Sequence, residues 1–501
     1  MPSKKSKRAK AAPNAAAGQP IRTLVACWED DPGDPKILPQ LAPITVSSPN
    51  QTAKPLPFKL QGTTPPAKIY QPGTAEFLFY AAACALRRTA DFWGGIVPRG
   101  TKWHVGKSLP VIVDDGVDLN AFYTRGGGGE APGLHFFHDA VGGRIFFSGE
   151  SPDVACHEMG HGVLDAIRPQ LFDAQTIEAA AFHESFGDMS AILSGLQVAS
   201  FKTTVLNETA GVINRSSRLS RLAEQLGAAI RVQHPDAVDP DCLRNATNSF
   251  FYQDPQTLPP SAPASQLSSE PHSFSRVFTG AFLDSLAGIL QAQGGSPSAD
   301  GLAQASRDLA RILVGSILEA PISPDYFSQV AAHMIHFGDG SPFNGKYRDI
   351  LKAAFVRRGI LTLQAAATIA RVKQQAGKRI SMAGRLVSKG DVLPTASLSA
   401  LSFGLRSVTL KVHTAGESKH FATTSASAQL GPGQTYSPQS AAESYTEDLF
   451  QRGHVEVGPH ADRDTGLVHP YSFKTHVIVE ENGELVLKRM TFDCGFDHRG
   501  E

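Results

Sequence analysis

Neither sign of charge is in surplus: Lys+Arg and Asp+Glu both number 47 in 501 residues. That balance supplies no overall field to draw in nucleic acid or a membrane surface. Cysteine is scarce. The five present (Cys27, Cys84, Cys156, Cys242, Cys494) are odd in number and form no C-x-x-C pair, so no disulfide framework is implied. A cytoplasmic, reducing setting is the default for such usage, with non-classical export left open. No apolar run has the length of a signal-peptide core or a membrane span. A phosphate loop is also missing, because Thr101 stands where Gly106-Lys107-Ser108 would need its first glycine. Lys4, Lys5, Lys7, Arg8 and Lys10 break the charge balance locally. They sit in an Ala/Pro/Gly-rich stretch, residues 1–20, that reads as a solvated disordered basic tail rather than a nucleic-acid or targeting element.

What is present is chemistry on a helix. His157-Glu158-Met159-Gly160-His161 is an H-E-x-x-H pentapeptide. Two histidines one turn apart project from one face and can grip one metal ion. Glu158 lies about 100° around the helix, placed to reach a metal-bound water. The bland alternative is a surface helix with two histidines and a solvated glutamate, and the pentapeptide alone does not exclude it. Context argues against that alternative. Ser151-Pro152-Asp153 reads as N-cap, first helical residue and dipole-complementing acid, and Pro169 stops the helix at about Arg168. Cys156 adjoins the motif but points off the ligand face, as a packing residue.

A catalytic zinc takes three protein ligands and keeps one position for water. A third histidine in the longer H-E-x-x-H-x-x-G-x-x-H pattern is excluded by Leu164 and Ile167. The next helical stretch, Thr176 to Leu193, carries Glu178, His183, Glu184 and Asp188. Glu184 and Asp188 share a face, which suits one carboxylate on the metal and the other on the far nitrogen of a ligand imidazole. Glu178 is expected to be solvated, and His183 is a weaker ligand candidate off the shared face.

With these residues the chain resembles the thermolysin-like zinc metallopeptidases, whose third ligand is a glutamate on a following helix. Their E-x-x-x-D signature appears as Glu184-Ser-Phe-Gly-Asp188. Asn120-Ala121-Phe122-Tyr123 is similar to the family's substrate-binding edge strand, His272 to its transition-state histidine, and Arg244 to its substrate-carbonyl arginine. The likeness spans roughly residues 70 to 362. It implies one Zn2+ per chain on His157, His161 and Glu184, with Asp188 behind the ligands. Glu158 and His272 become the catalytic residues, and Asn120, Ala121 and Arg244 the substrate contacts. It also implies hydrolysis of a peptide or protein by zinc-activated water; the charge balance and the lack of an apolar run set the expectation of no nucleic-acid or membrane partner.

Departures accompany the likeness. Phe172 occupies the place of an active-site tyrosine, and Leu267 that of an aspartate partner to His272, for which Glu270 or Asp254 can substitute. Asp153 matches a calcium-ligand position, but Gly195 stands where a glutamate is expected, so a calcium site is not predicted.

The implied fold class is α+β: a thermolysin-like two-lobed catalytic domain plus a β-rich C-terminal accessory domain. Residues 21–150 form the β-rich lobe with one long helix (Phe77 to Phe92), and 151–365 the helical lobe with the zinc site. Residues 366–501 form the accessory domain, with an Asn482-Gly483 hairpin and a loop-rich 414–445 stretch. His135 and His138 read as strand or surface histidines, and Gly126 to Gly129 as a flexible loop. Two other functions stay open: a narrow-specificity zinc amidase or processing hydrolase, and an idle, metal-stabilised binding module. Retention of Glu158 and His272 speaks against the last, since a structural metal site needs neither.

Overall fold

The computed structural model describes residues 25–33, 42–44, 51–369, 392–417, 437–461 and 473–494. The expected basic tail lies outside them. The described chain is mixed α/β, with long helices beside small sheets. At its centre two helices cross, Pro152–Ile167 and Ile177–Gly195. The first starts as expected: Ser151 caps it by accepting from the Val154 N–H, Pro152 follows, and Arg168 closes it. The second is buried along its whole length, so its apolar residues mark no single stripe.

Glycine allows the two helices to meet this closely. A Cβ on Gly160 would stand 2.6 Å from Ser190 Oγ, and one on Gly187 would stand 2.5 Å from His157 Cε1. Their lack of a side chain lets the His157 ring lie directly on the neighbouring helix. Around this pair pack Ala75–Gly94, Pro271–Gln291, Ala299–Glu319 and Tyr326–Asp339, which share one continuous apolar core.

One five-stranded sheet flanks the helices, in the order Thr491–Asp493, Ala121–Thr124, Gly133–Phe136, Leu109–Ile112, Phe58–Leu60. Its first two pairings are antiparallel and the others parallel. A second five-stranded sheet runs Thr395–Ser399, Thr409–His413, Glu484–Arg489, His476–Glu481, Val455–Glu456. Asn482 and Gly483 form its hairpin turn, both at positive φ (54° and 80°), as an Asn-Gly pair favours.

Three expectations need revision. Of the loop-rich stretch 414–445, residues 418–436 lie outside the described residues, and its end is the start of a helix, Pro438–Gln451, capped by Ser437. Its Ala441, Tyr445 and Leu449 form a buried stripe at four-residue spacing, which is enough to hold a helix in place. Second, the boundary placed at 365 falls inside helix Leu363–Ile369, and strand Thr491–Asp493 leaves the accessory region to join the first sheet. Third, Glu178 is buried, not solvated. Its carboxylate accepts from the Tyr252 hydroxyl and from the Phe327 N–H at 2.7 Å.

Gly187→Ala tests the close helix contact. We expect a stability loss of about 1–3 kcal/mol from overpacking. Metal affinity should fall about 10- to 100-fold, the scale seen when a ligand's support is disturbed. Denaturant unfolding and metal titration measure the two, and an unchanged variant would show that the His157 ring has room to spare.

Candidate metal centre

Helix geometry brings the predicted ligands together. His157 Nε2 lies 3.2 Å from Glu184 Oε2, and His161 Nε2 lies 3.7 Å from Glu184 Oε1. Glu158 offers a carboxylate oxygen within 4.8 Å of ligand nitrogens on both histidines. All four side chains are buried. His157 Nε2, His161 Nε2, Glu158 Oε2 and Glu184 Oε2 have no hydrogen-bond partner. Buried polar atoms are normally satisfied, so nitrogens and oxygens that converge on one point without a hydrogen bond form a group that could hold a cation. Two imidazoles and a carboxylate are a donor set that zinc accepts. The residues therefore fit the metal.

Behind the ligands, Asp188 Oδ1 sits 3.1 Å from His157 Nδ1, which leaves Nε2 aimed at the centre. Arg244 fastens Asp188 in turn, at 2.8 and 3.3 Å. Burial pushes the Asp188 carboxyl up, but Arg244 and His157 prevail and hold it well below the usual carboxylate range. Burial opposes the charged form of His157 too. Asp188 and Glu184 outweigh it, raising that histidine to about 9. Burial alone largely explains Glu158, pushed up to about 8, and His161, held well below its ordinary value.

His272 stands across the centre, its Nε2 3.2 Å from Glu184 Oε2. Of the two candidate partners, Glu270 takes the role: its Oε1 lies 2.6 Å from His272 Nδ1, while Asp254 caps a local turn instead. Burial lowers His272, but Glu184 and Glu270 raise it further, to about 10. Both carboxylates thus favour the protonated ring. Arg244 is committed to Asp188 but still borders a cavity of about 510 Å³ beside the site, opposite Asp448, Leu449 and Arg452. Asn120 turns its side-chain oxygen to the Ala121 N–H at 2.8 Å, and the Ala121 carbonyl accepts from the Cys494 N–H at 2.8 Å.

Other side chains settle elsewhere. His183 stacks on Phe492 at 4.1 Å and is not among the grouped ligand atoms. Phe172 packs edge-on against Tyr123 and Phe492. The Cys156 thiol turns away, to the Ala85 carbonyl at 3.7 Å. His135 spends both ring nitrogens on Asp115 and the Ala131 carbonyl, and His138 bonds Asp114.

Sequence reasoning missed several groups. Asp165 continues the four-residue spacing of His157 and His161, a signal available in the sequence. It accepts from Tyr123 at 2.6 Å and from Arg125 at 2.5 and 3.0 Å, tying the edge strand to the metal helix. Asp153 does have acidic neighbours, supplied by Asp30, Asp31 and Glu224. Their oxygens are already engaged by Arg218, Ser151, Arg221 and backbone N–H groups. Cys494 had no assigned role, yet its Sγ lies 2.7 Å from Glu158 Oε1.

Metal uptake should be pH-dependent with a definite sign. Below about 9 the His157 ring carries a proton that must leave before Nε2 can ligate. Zinc affinity should therefore rise from pH 6 to pH 8, by up to roughly one decade per pH unit for each proton displaced. Calorimetry in buffers of different ionisation enthalpy counts that proton, and a flat profile would mean that the ligands are already neutral. No protein-family model matches the chain, and no curated protein matches it either.

Proposed function

We propose that this chain is a zinc-dependent metallopeptidase of thermolysin-like, two-lobed architecture. The observation that carries the reading is the convergence of His157, His161 and Glu184, with Glu158 beside them and His272 opposite. His157 Nε2, His161 Nε2 and one Glu184 oxygen would hold the metal. Bound there, zinc supplies hydroxide near neutral pH and polarises the substrate carbonyl.

The remaining tasks fall to the chain's own side chains. Glu158, buried and unpartnered at Oε2, takes the proton of the attacking water and passes it to the leaving nitrogen. His272 Nε2 donates to the developing oxyanion, and Glu270 fixes its charge and orientation from Nδ1. This donor carries more of the load because Phe172 has no hydroxyl. Asp188 and Arg244 orient His157. Strand Ala121–Thr124 aligns the substrate backbone beside the centre, as β-addition does generally. A narrower processing role draws support from the accessory residues Asp448, Leu449 and Arg452, which line the cavity beside the site. Among the described residues no helix is long and apolar enough to cross a membrane. All cysteines are free, in keeping with a reducing compartment for this proposed enzyme.

Glu158→Gln should keep zinc and lose about 10²- to 10⁴-fold in hydrolysis of a peptide library, the usual worth of a general base. His157→Ala should lose the metal itself. His272→Ala should retain zinc and cost about 3 to 4 kcal/mol of transition-state stabilisation, read from kcat/KM. Metal analysis beside the library assay checks all three. A zinc-loaded, fully active Glu158→Gln enzyme would remove the hydrolase reading.

A further inference from the structure

The strand assigned to hold a peptide already holds one. Thr491–Asp493 runs antiparallel to Ala121–Thr124, pairing Phe492 with Tyr123 and Asp493 with Phe122. The Cys494 N–H continues the ladder to the Ala121 carbonyl at 2.8 Å. From this position the segment reaches the groups given a task above. The Asp493 carbonyl oxygen lies 2.6 Å from His272 Nε2. Cys494 Sγ lies 2.7 Å from Glu158 Oε1. The Phe492 ring stacks on His161 at 5.1 Å and on His183 at 4.1 Å, and the Arg489 guanidinium lies 4.2 Å from its centroid. Next to this arrangement His157 Nε2, His161 Nε2, Glu158 Oε2 and Glu184 Oε2 are buried and unpartnered.

We propose that residues 491–494 are an in-chain occupant of the active site, a substrate-like strand whose Cys494 thiol caps the proposed base Glu158. The proposal rests on the zinc reading above. The thiol sits on Glu158 Oε1, where the base would meet its water, so Glu158 has nothing to activate. The chain in this conformation is latent, and a substrate must displace the strand before hydrolysis begins.

Two features separate this arrangement from simple closure of a sheet edge. An edge cover needs backbone pairing alone, whereas this segment also engages the oxyanion donor through Asp493 and the base through Cys494. A rival assignment makes the Asp493–Cys494 peptide bond a self-cleavage site, since its carbonyl meets His272 and its N–H meets Ala121. The thiol on Glu158 favours inhibition, because it takes the place of the nucleophile.

Amide exchange in the zinc-loaded full chain tests displacement of the strand. We expect the Cys494 N–H, bonded to the Ala121 carbonyl, to lose protection when a saturating peptide is added to Glu158→Gln. Cys494→Ala should keep zinc and hydrolyse an unstructured peptide at least about tenfold faster, since an intramolecular competitor has been weakened. Unchanged protection in a zinc-loaded chain, or unchanged turnover in Cys494→Ala, would overturn this inference and leave the peptidase reading standing. A chain that holds no zinc would overturn both. Intact mass gives the last arm: metal-dependent loss of the residues after Asp493, absent in Glu158→Gln, would make the strand a substrate and overturn its role as inhibitor.

Discussion

Everything in the centre of this protein answers to one constraint: polar atoms of His157, His161, Glu158 and Glu184 are buried together with no well-formed hydrogen bond, only ion-pair approaches to Glu184 of 3.2 Å from His157 and His272 and 3.7 Å from His161. Leaving a buried donor or acceptor unsatisfied costs about 1–3 kcal/mol. Four such groups approach the net stability of a whole domain, about 5–15 kcal/mol. A fold keeps such a defect only if something offsets it, and a cation on His157, His161 and Glu184, with its water on Glu158, would do so. Metal affinity at a site of this kind is then also folding stability.

The surrounding structure serves to keep that point fixed. Gly160 and Gly187 let the two central helices approach until the His157 ring lies against the neighbouring backbone. Behind the ring, charge alternates outward from His157 to Asp188 to Arg244, so each group stabilises the next. On the opposite side Glu270 does for His272 what Asp188 does for His157. Such chains are strong where water is scarce, and they replace rotational freedom with one geometry. Glu178 belongs to the same logic. A carboxylate on a wholly buried helix persists because Tyr252 and the Phe327 N–H meet it.

What could be read from the sequence was local. The pentapeptide, the Glu184–Asp188 pair, the Ser151-Pro152 start and the Asn482-Gly483 turn each lie within a few residues, where spacing dictates direction. The fate of Glu178 was hidden because an angle around a helix predicts exposure only when one face meets solvent. Helix Pro438–Gln451 was overlooked although Ser437-Pro438 repeats the start signal of the metal helix, since its polar composition masks a narrow buried stripe. Strand Thr491–Asp493 has three residues, too few for an alternation to register. Its partner lies 368 positions away by the Thr491–Tyr123 contact, a pairing that no local pattern encodes.

That long-range pairing explains how weak contacts can govern the site. An exposed edge strand is a template for any extended chain, useful for holding substrate and hazardous when idle. A segment of the same molecule competes at an effective concentration that reaches the millimolar range for short flexible linkers. Typical KM values run from about 1 μM to 1 mM, so an ordinary substrate meets a rival that is always present. The rival needs little intrinsic affinity. A few backbone hydrogen bonds and one aromatic stack suffice to cover the edge, and neither contact requires a cysteine. A thiol set 2.7 Å from Glu158, the proposed base, is therefore an addition with its own consequence, because it would tie release of the strand to the chemistry of the centre.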